Sequence, residues 1–328
     1  MIAGLFALAV GAAHAQKLTG AGATFPYPIY SKWFAEYSAA HPGVKINYQP
    51  IGSGGSIRQV SAGVIDFGAS DQPLTDFQLA ESRIKLVQIP TVMGAVVPIF
   101  NVPGVADIKF SPEVLAGIYL GKIRKWNDPK VAQDNPGVRF PDLHINVVHR
   151  SDGSGTSYIF TDYLSKVSSD WANGPGRSIS PYWPTGIGVK GNESVAGVVR
   201  HLPGAIGYVE LAFAEHNQVS FGEVKNSSGN WIKASVETVT NAAADIHTLP
   251  ADYRISITNA PGPNAYPIAS FTWLLVPIRS LDAKKGKVLQ DLLSWVLRSG
   301  QSEAGPLSYA PLPSTLLEQE LRTVYTLR

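Results

Sequence analysis

Two short runs far apart in the chain share one composition: Gly52-Ser53-Gly54-Gly55-Ser56 and Ser151-Asp152-Gly153-Ser154-Gly155-Thr156-Ser157. Each follows a β-branched, strand-like stretch and precedes a helix-patterned one. A glycine-serine turn that opens a helix presents unpaired backbone N–H groups and small hydroxyls at the positive end of the helix dipole. Ser53, Gly54 and Gly55 at one turn, and Ser154, Gly155 and Thr156 at the other, therefore predict two seats for a tetrahedral oxyanion. The same residue types also serve as plain caps and turn formers. Arg150, just before the second turn, can hold two oxyanion oxygens with its planar guanidinium, and Asp152 is spaced to pair with it. Asp71 ends the run Phe67-Gly68-Ala69-Ser70. A carboxylate beside a bound oxyanion is repulsive unless the ligand carries a proton to share.

Catalytic chemistry has less support. The glycine spacing of a phosphate-binding loop before Lys and Ser or Thr does not occur. Neither serine run has the Gly-x-Ser-x-Gly spacing of a nucleophile elbow. A pairing of Ser154 with His149 has nothing specific behind it. The seven histidines are scattered, and His144 and His149 point to opposite faces if they share a strand, so no metal pair is expected.

The elements that position these residues alternate. Residues 17–19 begin a strand, and Ile29, Trp33 and Tyr37 mark an amphipathic helix. Val44, Ile46 and Tyr48 alternate as a strand before the first turn, and Ile57, Val60 and Val64 follow at helical spacing. Residues 89–100 read as a buried strand interrupted by Pro90 and Gly94. Residues 145–149 read as the strand before the second turn, and residues 168–190 as a long loop packed by its own aromatics. Residues 205–209 and 271–276 are further strands. A last helix carries Leu317, Leu321 and Val324, with Ser314 as its cap. Strand and helix in alternation predict α/β layers.

The 328 residues, 45% hydrophobic and 16% charged, favour two lobes over one core, and no exposed polar linker separates them. A net charge of +2 leaves no footprint for nucleic acid or an anionic membrane. Residues 1–15 read as the apolar core of a secretory signal with a small-residue cleavage site at Ala13-His14-Ala15, although the basic segment that ordinarily precedes such a core is missing. With no cysteine, disulfides, thiol nucleophiles and zinc-thiolate sites are excluded.

Six segments together resemble the phosphate-binding proteins of bacterial phosphate ABC transporters. They are residues 18–26 (LTGAGATFP), Ile51-Gly52-Ser53, residues 64–71 (VIDFGASD), residues 118–123 (IYLGKI), residues 152–157 (DGSGTS) and residues 202–210 (LPGAIGYVE). The resemblance implies a type II periplasmic-binding-protein fold, two α/β lobes with two crossover strands as the hinge. On that reading lobe 1 comprises residues 16–100 and 265–328, and lobe 2 residues 101–264. It implies phosphate held by Thr24, Phe25 (through its N–H), Ser53, Asp71, Arg150, Ser154, Gly155 and Thr156, with Asp152 supporting the arginine. Relatives often carry a second serine directly after the one matching Ser53; Ser56 is the expected substitute. The implied protein is a periplasmic monomer without cofactor, metal or catalysis. Its implied partners are inorganic phosphate and the membrane permease subunits.

Overall fold

A computed structural model describes residues 16–246 and 248–328. The expected signal segment lies outside the described residues. Strand β1 (Gln16–Gly22) leads into α1 (Tyr27–Ala40), and β2 (Val44–Gln49) into α2 (Ser53–Ser61). Next come β3 (Phe67–Ser70), α3 (Asp76–Ala80) and a long β4 (Leu86–Asn101). The middle of the chain holds β5 (Lys109–Phe110), α4 (Pro112–Tyr119), α5 (Pro129–Asp134), β6 (Asn146–Arg150), α6 (Gly155–Val167) and α7 (Ser169–Asn173). It continues through β7 (Ile187–Val189), α8 (Gly191–His201), β8 (Ala205–Glu210) and α9 (Leu211–His216). After β9 (Glu223–Lys225), β10 (Trp231–Ile232) and α10 (Val236–Ala242), the chain ends with β11 (Ala269–Pro277), α11 (Ala283–Arg298) and α12 (Ser314–Val324).

The main strands are ordered β2-β1-β3-β11-β4-β8-β6-β7, and β10-β9-β5 form a small separate sheet. The α/β expectation holds. β4 belongs to two sheets at once: Leu86 to Ala95 pair antiparallel with β11, and Val96 to Asn101 pair antiparallel with β8. Pro90 and Gly94, expected to interrupt this strand, do not. Pro90 sits where the β4–β11 register slips: Thr272 faces Val92 and Trp273 faces Pro90, which leaves Thr91 as an extra residue in β4. A bulge of this kind tolerates a residue without an N–H. Gly94 is needed for space, since a Cβ there would stand 2.7 Å from the Phe25 ring.

Helix α1 buries Ile29, Tyr30, Trp33, Phe34 and Tyr37, the stripe that its spacing predicts. Tyr30, Phe34, Tyr48 and Phe67 pack at 5.5–6.3 Å between ring centroids, mostly edge-on or tilted, and Trp33 Nε1 donates to Gly300 O at 2.7 Å. A second aromatic cluster joins Tyr119, Phe160, Trp183 and Tyr208. Residues 168–190 supply Trp171 and Trp183 to it, as expected of self-packing aromatics, but they also contain α7 and β7.

Ser314 is the first residue of α12 and does not cap it; Pro313 holds the cap position without a side-chain hydrogen bond. The helix buries Leu316, Glu320 and Val324, while Leu317 and Leu321 are half-buried. Glu320 thus occupies a core position between two apolar neighbours four residues away. Neither of its carboxyl oxygens has a partner, and burial pushes its pKa well above the usual carboxylate range. A raised folded-state pKa stabilises fully below the unfolded value and is lost as pH rises toward the folded value. Glu320→Gln should therefore lose less thermal stability than the parent chain between pH 5 and pH 8. Melting curves at the two pH values should show the gap narrowed by about 2 °C or more, the shift that about 1 kcal/mol produces in a chain of this size.

Candidate anion-binding site

The two glycine-serine turns, about a hundred residues apart in sequence, touch. Gly54 N–H donates to Gly153 O at 2.9 Å. A Cβ at Gly54 would lie 3.2 Å from Gly153 Cα, and one at Gly52 only 2.6 Å from Asp152 Oδ2. Gly52 also has a φ of +89°, which a residue with a Cβ rarely adopts. Glycine is required here for both space and backbone geometry.

The contact brings helix N-termini together. At α2, Ser53 and Gly55 N–H have no acceptor among the described residues, while Ser56 N–H already bonds Gly52 O. At α6, Ser154 Oγ accepts from Ser157 N–H at 3.0 Å, leaving Gly155 and Thr156 N–H free. Before α1, Phe25 N–H is likewise free and the buried Thr24 hydroxyl has no partner among the described residues. Such orphan donors sit at the positive ends of their helices. Ser56 accepts one hydrogen bond and keeps its own O–H proton to donate. One position deeper than the free N–H of Gly55, its Oγ accepts from Ala69 N–H at 2.8 Å and ties α2 to β3.

Arg150 ends β6 and is 2% exposed. Its Nε and Nη2 donate to the two oxygens of Asp152 at 2.7 and 2.5 Å, the planar pairing anticipated from the spacing. Nη1 reaches Thr156 Oγ1 at 3.4 Å and Asn192 Oδ1 at 3.3 Å. Burial works to raise the pKa of Asp152, but hydrogen bonds and charge from Arg150, with an N–H from Gly191, hold it below the usual range. The pair is a fixed dipole with little net charge.

Asp71 follows β3 and is 1% exposed. Its N–H donates to Ser53 Oγ at 3.2 Å, and its Oδ1 accepts from Thr272 Oγ1 at 2.7 Å. Oδ2 is buried without a partner. A Cβ on Gly155 would stand 2.4 Å from both this oxygen and Ser53 Oγ, so the start of α6 lies directly against Asp71. Burial pushes the Asp71 carboxyl up to about 7, against the smaller downward pull of the Thr272 hydrogen bond and the Arg150 charge. An unpartnered carboxylate oxygen among free N–H donors suits a tetrahedral anion that carries a proton.

The structure thus brings Ser53, Asp71, Arg150, Asp152, Ser154, Gly155 and Thr156 together. Thr24 lies nearby, its methyl 3.8 Å from where a Cβ of Gly191 would stand. Sequence reasoning missed Thr272, Asn192 and Tyr208. Tyr208 accepts Arg150 N–H at 3.1 Å and bonds Ser157 Oγ at 2.6 Å. Asn192 carries a usable signal, since Gly191-Asn192 opens α8 in the style of the other turns. Ser154 and His149 form no hydrogen bond with each other: the hydroxyl caps α6, and the imidazole stacks on Trp183 at 4.9 Å. Among the described residues no group of three or more His, Cys, Asp or Glu side chains could hold a metal ion.

A family model described as the PBP superfamily domain matches residues 9–299. The phosphate-binding protein PstS of Xylella fastidiosa (strain Temecula1) is 45% identical over 306 residues, spanning 92% of this chain and 83% of that protein. PstS of Pasteurella multocida is 42% identical over 97% of this chain and 93% of its own length. Among solved structures, a high-affinity periplasmic phosphate-binding protein (PfluDING) bound with phosphate superposes with a TM-score of 0.75 at 22% identity, covering 95% of this chain and 93% of that one. A phosphate-binding protein from Stenotrophomonas maltophilia gives 0.69 at 22% identity, covering 94% of each chain. At that identity the superpositions speak for the two-lobed architecture alone, while the sequence matches extend along most of the chain. The chain belongs to the PBP superfamily and, within it, to the family of PstS phosphate-binding proteins.

Proposed function

We propose that this chain binds inorganic phosphate as the substrate-binding component of an ABC transporter, not as an enzyme, and delivers it to membrane permease subunits from the periplasm. The observation that carries the reading is Asp71 Oδ2: a buried acceptor, unpartnered among the described residues, against the starts of α2 and α6 with their free N–H groups. On this reading Thr24, Phe25, Ser53, Asp71, Arg150, Ser154, Gly155 and Thr156 contact the anion, and Asp152 orients Arg150. No helix among the described residues is long and apolar enough to cross a membrane.

The two lobes are residues 16–100 with 265–328, and residues 101–264. The passage of β4 from one sheet to the other supports a crossover at the first boundary. Residues just before β11 support the second, where Tyr266 OH donates to Val96 O at 2.9 Å. The protein acts as a monomer.

Hydrogen phosphate retains a proton at neutral pH and can donate it to Asp71 Oδ2 while its other oxygens take the N–H and O–H donors. Sulfate has no such proton, so its lone pairs would oppose those of the carboxylate. An unmet buried acceptor costs about 1–3 kcal/mol, and more when charged, which gives specificity through rejection. The donors are neutral apart from Arg150, so the site needs no positive patch.

Calorimetric titration of the purified chain with phosphate, followed in parallel by tryptophan fluorescence, should give micromolar or tighter binding, about −8 kcal/mol. Tight sulfate binding with phosphate ignored would replace the proposed ligand. Asp71→Asn should shrink the phosphate-to-sulfate affinity ratio by about tenfold or more, because an amide can donate to a bare oxygen; an unchanged ratio would refute the role given to Asp71. Gly155→Ala should weaken phosphate by about 100-fold, since the added methyl occupies the gap between Asp71 and Ser53. Retention of full affinity in that variant would mean that the ligand does not sit between these residues.

A further inference from the structure

The two oxygens of Asp71 are treated differently by the fold. Oδ1 is engaged by Thr272, and Oδ2 is left bare toward Gly155 and Ser53. Thr272 is fully buried in β11, a strand that is otherwise almost entirely apolar. Its placement is built from both edges of that strand. Along β3, Trp273 faces Ser70 and Leu274 faces Ala69, so the next step of the register sets Thr272 beside Asp71. Along β4 the register slips between Thr272 and Trp273, and the extra residue Thr91 turns its hydroxyl to Thr272 O at 3.3 Å. Tyr30 OH in turn bonds Thr91 Oγ1 at 2.6 Å. Bulges re-aim side chains in this way beside functional sites.

A threonine hydroxyl has one proton, and an ionised carboxylate can only accept. The Thr272 proton is therefore committed to Oδ1, and a proton arriving at Asp71 goes to Oδ2, the oxygen that faces the anion. We propose that Thr272 is a specificity-determining positioning residue: by donating to Oδ1 it reserves Oδ2 as the acceptor for the anion's proton, and so maintains rejection of proton-free tetrahedral anions such as sulfate. The inference rests on the reading of Asp71 as that acceptor.

The pH behaviour has a definite sign. The groups around Asp71 are Arg150 of β6 with its partner Asp152, Tyr30 of α1, Tyr48 of β2, Glu210 of β8 and Tyr309. Only Thr272 and Arg150 pull the Asp71 pKa down against burial. Below that pKa, Oδ2 carries the proton and donates, so a bare sulfate oxygen meets a donor. Without Thr272 the changeover moves to higher pH.

The test is titration of the full chain, Thr272→Val and Thr272→Ser with inorganic phosphate and with sulfate from pH 5 to pH 9. In the parent chain the phosphate-to-sulfate ratio should fall as pH is lowered. In Thr272→Val, whose side chain keeps the shape without the donor, the fall should begin at higher pH, with the ratio at pH 7.5 reduced about tenfold. Thr272→Ser should restore the parent profile. Equal weakening of both anions in Thr272→Val, with the pH profile unmoved, would make the residue merely structural and overturn the inference. A ratio that is unchanged in Asp71→Asn as well would locate the failure in the Asp71 reading beneath it, and the inference would fall with that reading.

Discussion

The donors around Asp71 come from distant parts of the chain, and they converge because two glycine turns touch. That contact is a single backbone hydrogen bond, Gly54 N–H to Gly153 O, between chains of atoms too close for any side chain. The meeting of α2 with α6 assumes it, whereas the Arg150–Asp152 and Asp71–Thr272 bonds each lie on one side of it. Through this contact the starts of α2 and α6, with their free N–H groups, lie against each other. Gly155 can lie against Asp71 only for the same reason. The restriction to glycine at 52, 54 and 155 is therefore spatial before it is conformational, and Gly52 adds the positive φ that makes the first turn possible.

Charge is arranged with similar economy. Arg150 is the sole cation among the contacts described; two of its five N–H donors go to Asp152, and its Nη1 reaches Thr156 and Asn192. What remains for an anion is mainly main-chain N–H, small hydroxyls and one guanidinium edge. On the proposed reading such donors, fixed by the fold, distinguish ligands by where their protons lie. A carboxyl with its pKa pushed up to about 7 is costly to bury without a role, and strongly shifted groups of this kind concentrate at functional sites. Glu320 shows the limit of that inference. It is equally buried, yet it lies in a helix seam with no donors around it, so shift alone does not mark a site.

Much of the site was legible because its parts are local. Turn composition pointed to Ser53 and to residues 154–156, a two-residue spacing suggested the Arg150–Asp152 pair, and a strand end exposed Asp71; all are found together. Thr24 and Phe25 came from the resemblance, not from any pattern of their own. Thr272 was out of reach, since it meets Asp71 across a sheet after some two hundred intervening residues, and a lone threonine in an apolar strand looks like ordinary strand composition. The bulge at Thr91 is equally silent in sequence: Pro90 signals a break, whereas the sheet absorbs it by slipping one residue. Ser56 makes a contact that its type alone does not predict: a helix turns each residue by about 100°, and that rotation sets its Oγ to accept from Ala69 N–H.

Gly155 lies against Asp71 and adds to the burial that raises it, so on the proposed reading protonation is tied to closure of the cleft. Separating them would return water to Oδ2 and remove the desolvation that opposes its charge. Bringing them together around an empty site at neutral pH leaves a carboxylate that must either stay ionised without a partner or take a proton from solvent. Both options cost free energy, so Asp71 opposes closure on nothing. An anion that arrives with its own proton satisfies Oδ2 without changing the charge of Asp71, and its oxygens satisfy the orphan N–H groups in the same step. On the proposed reading, the residue that distinguishes one anion from another thereby also distinguishes an occupied cleft from a vacant one, and a single buried oxygen serves both ends.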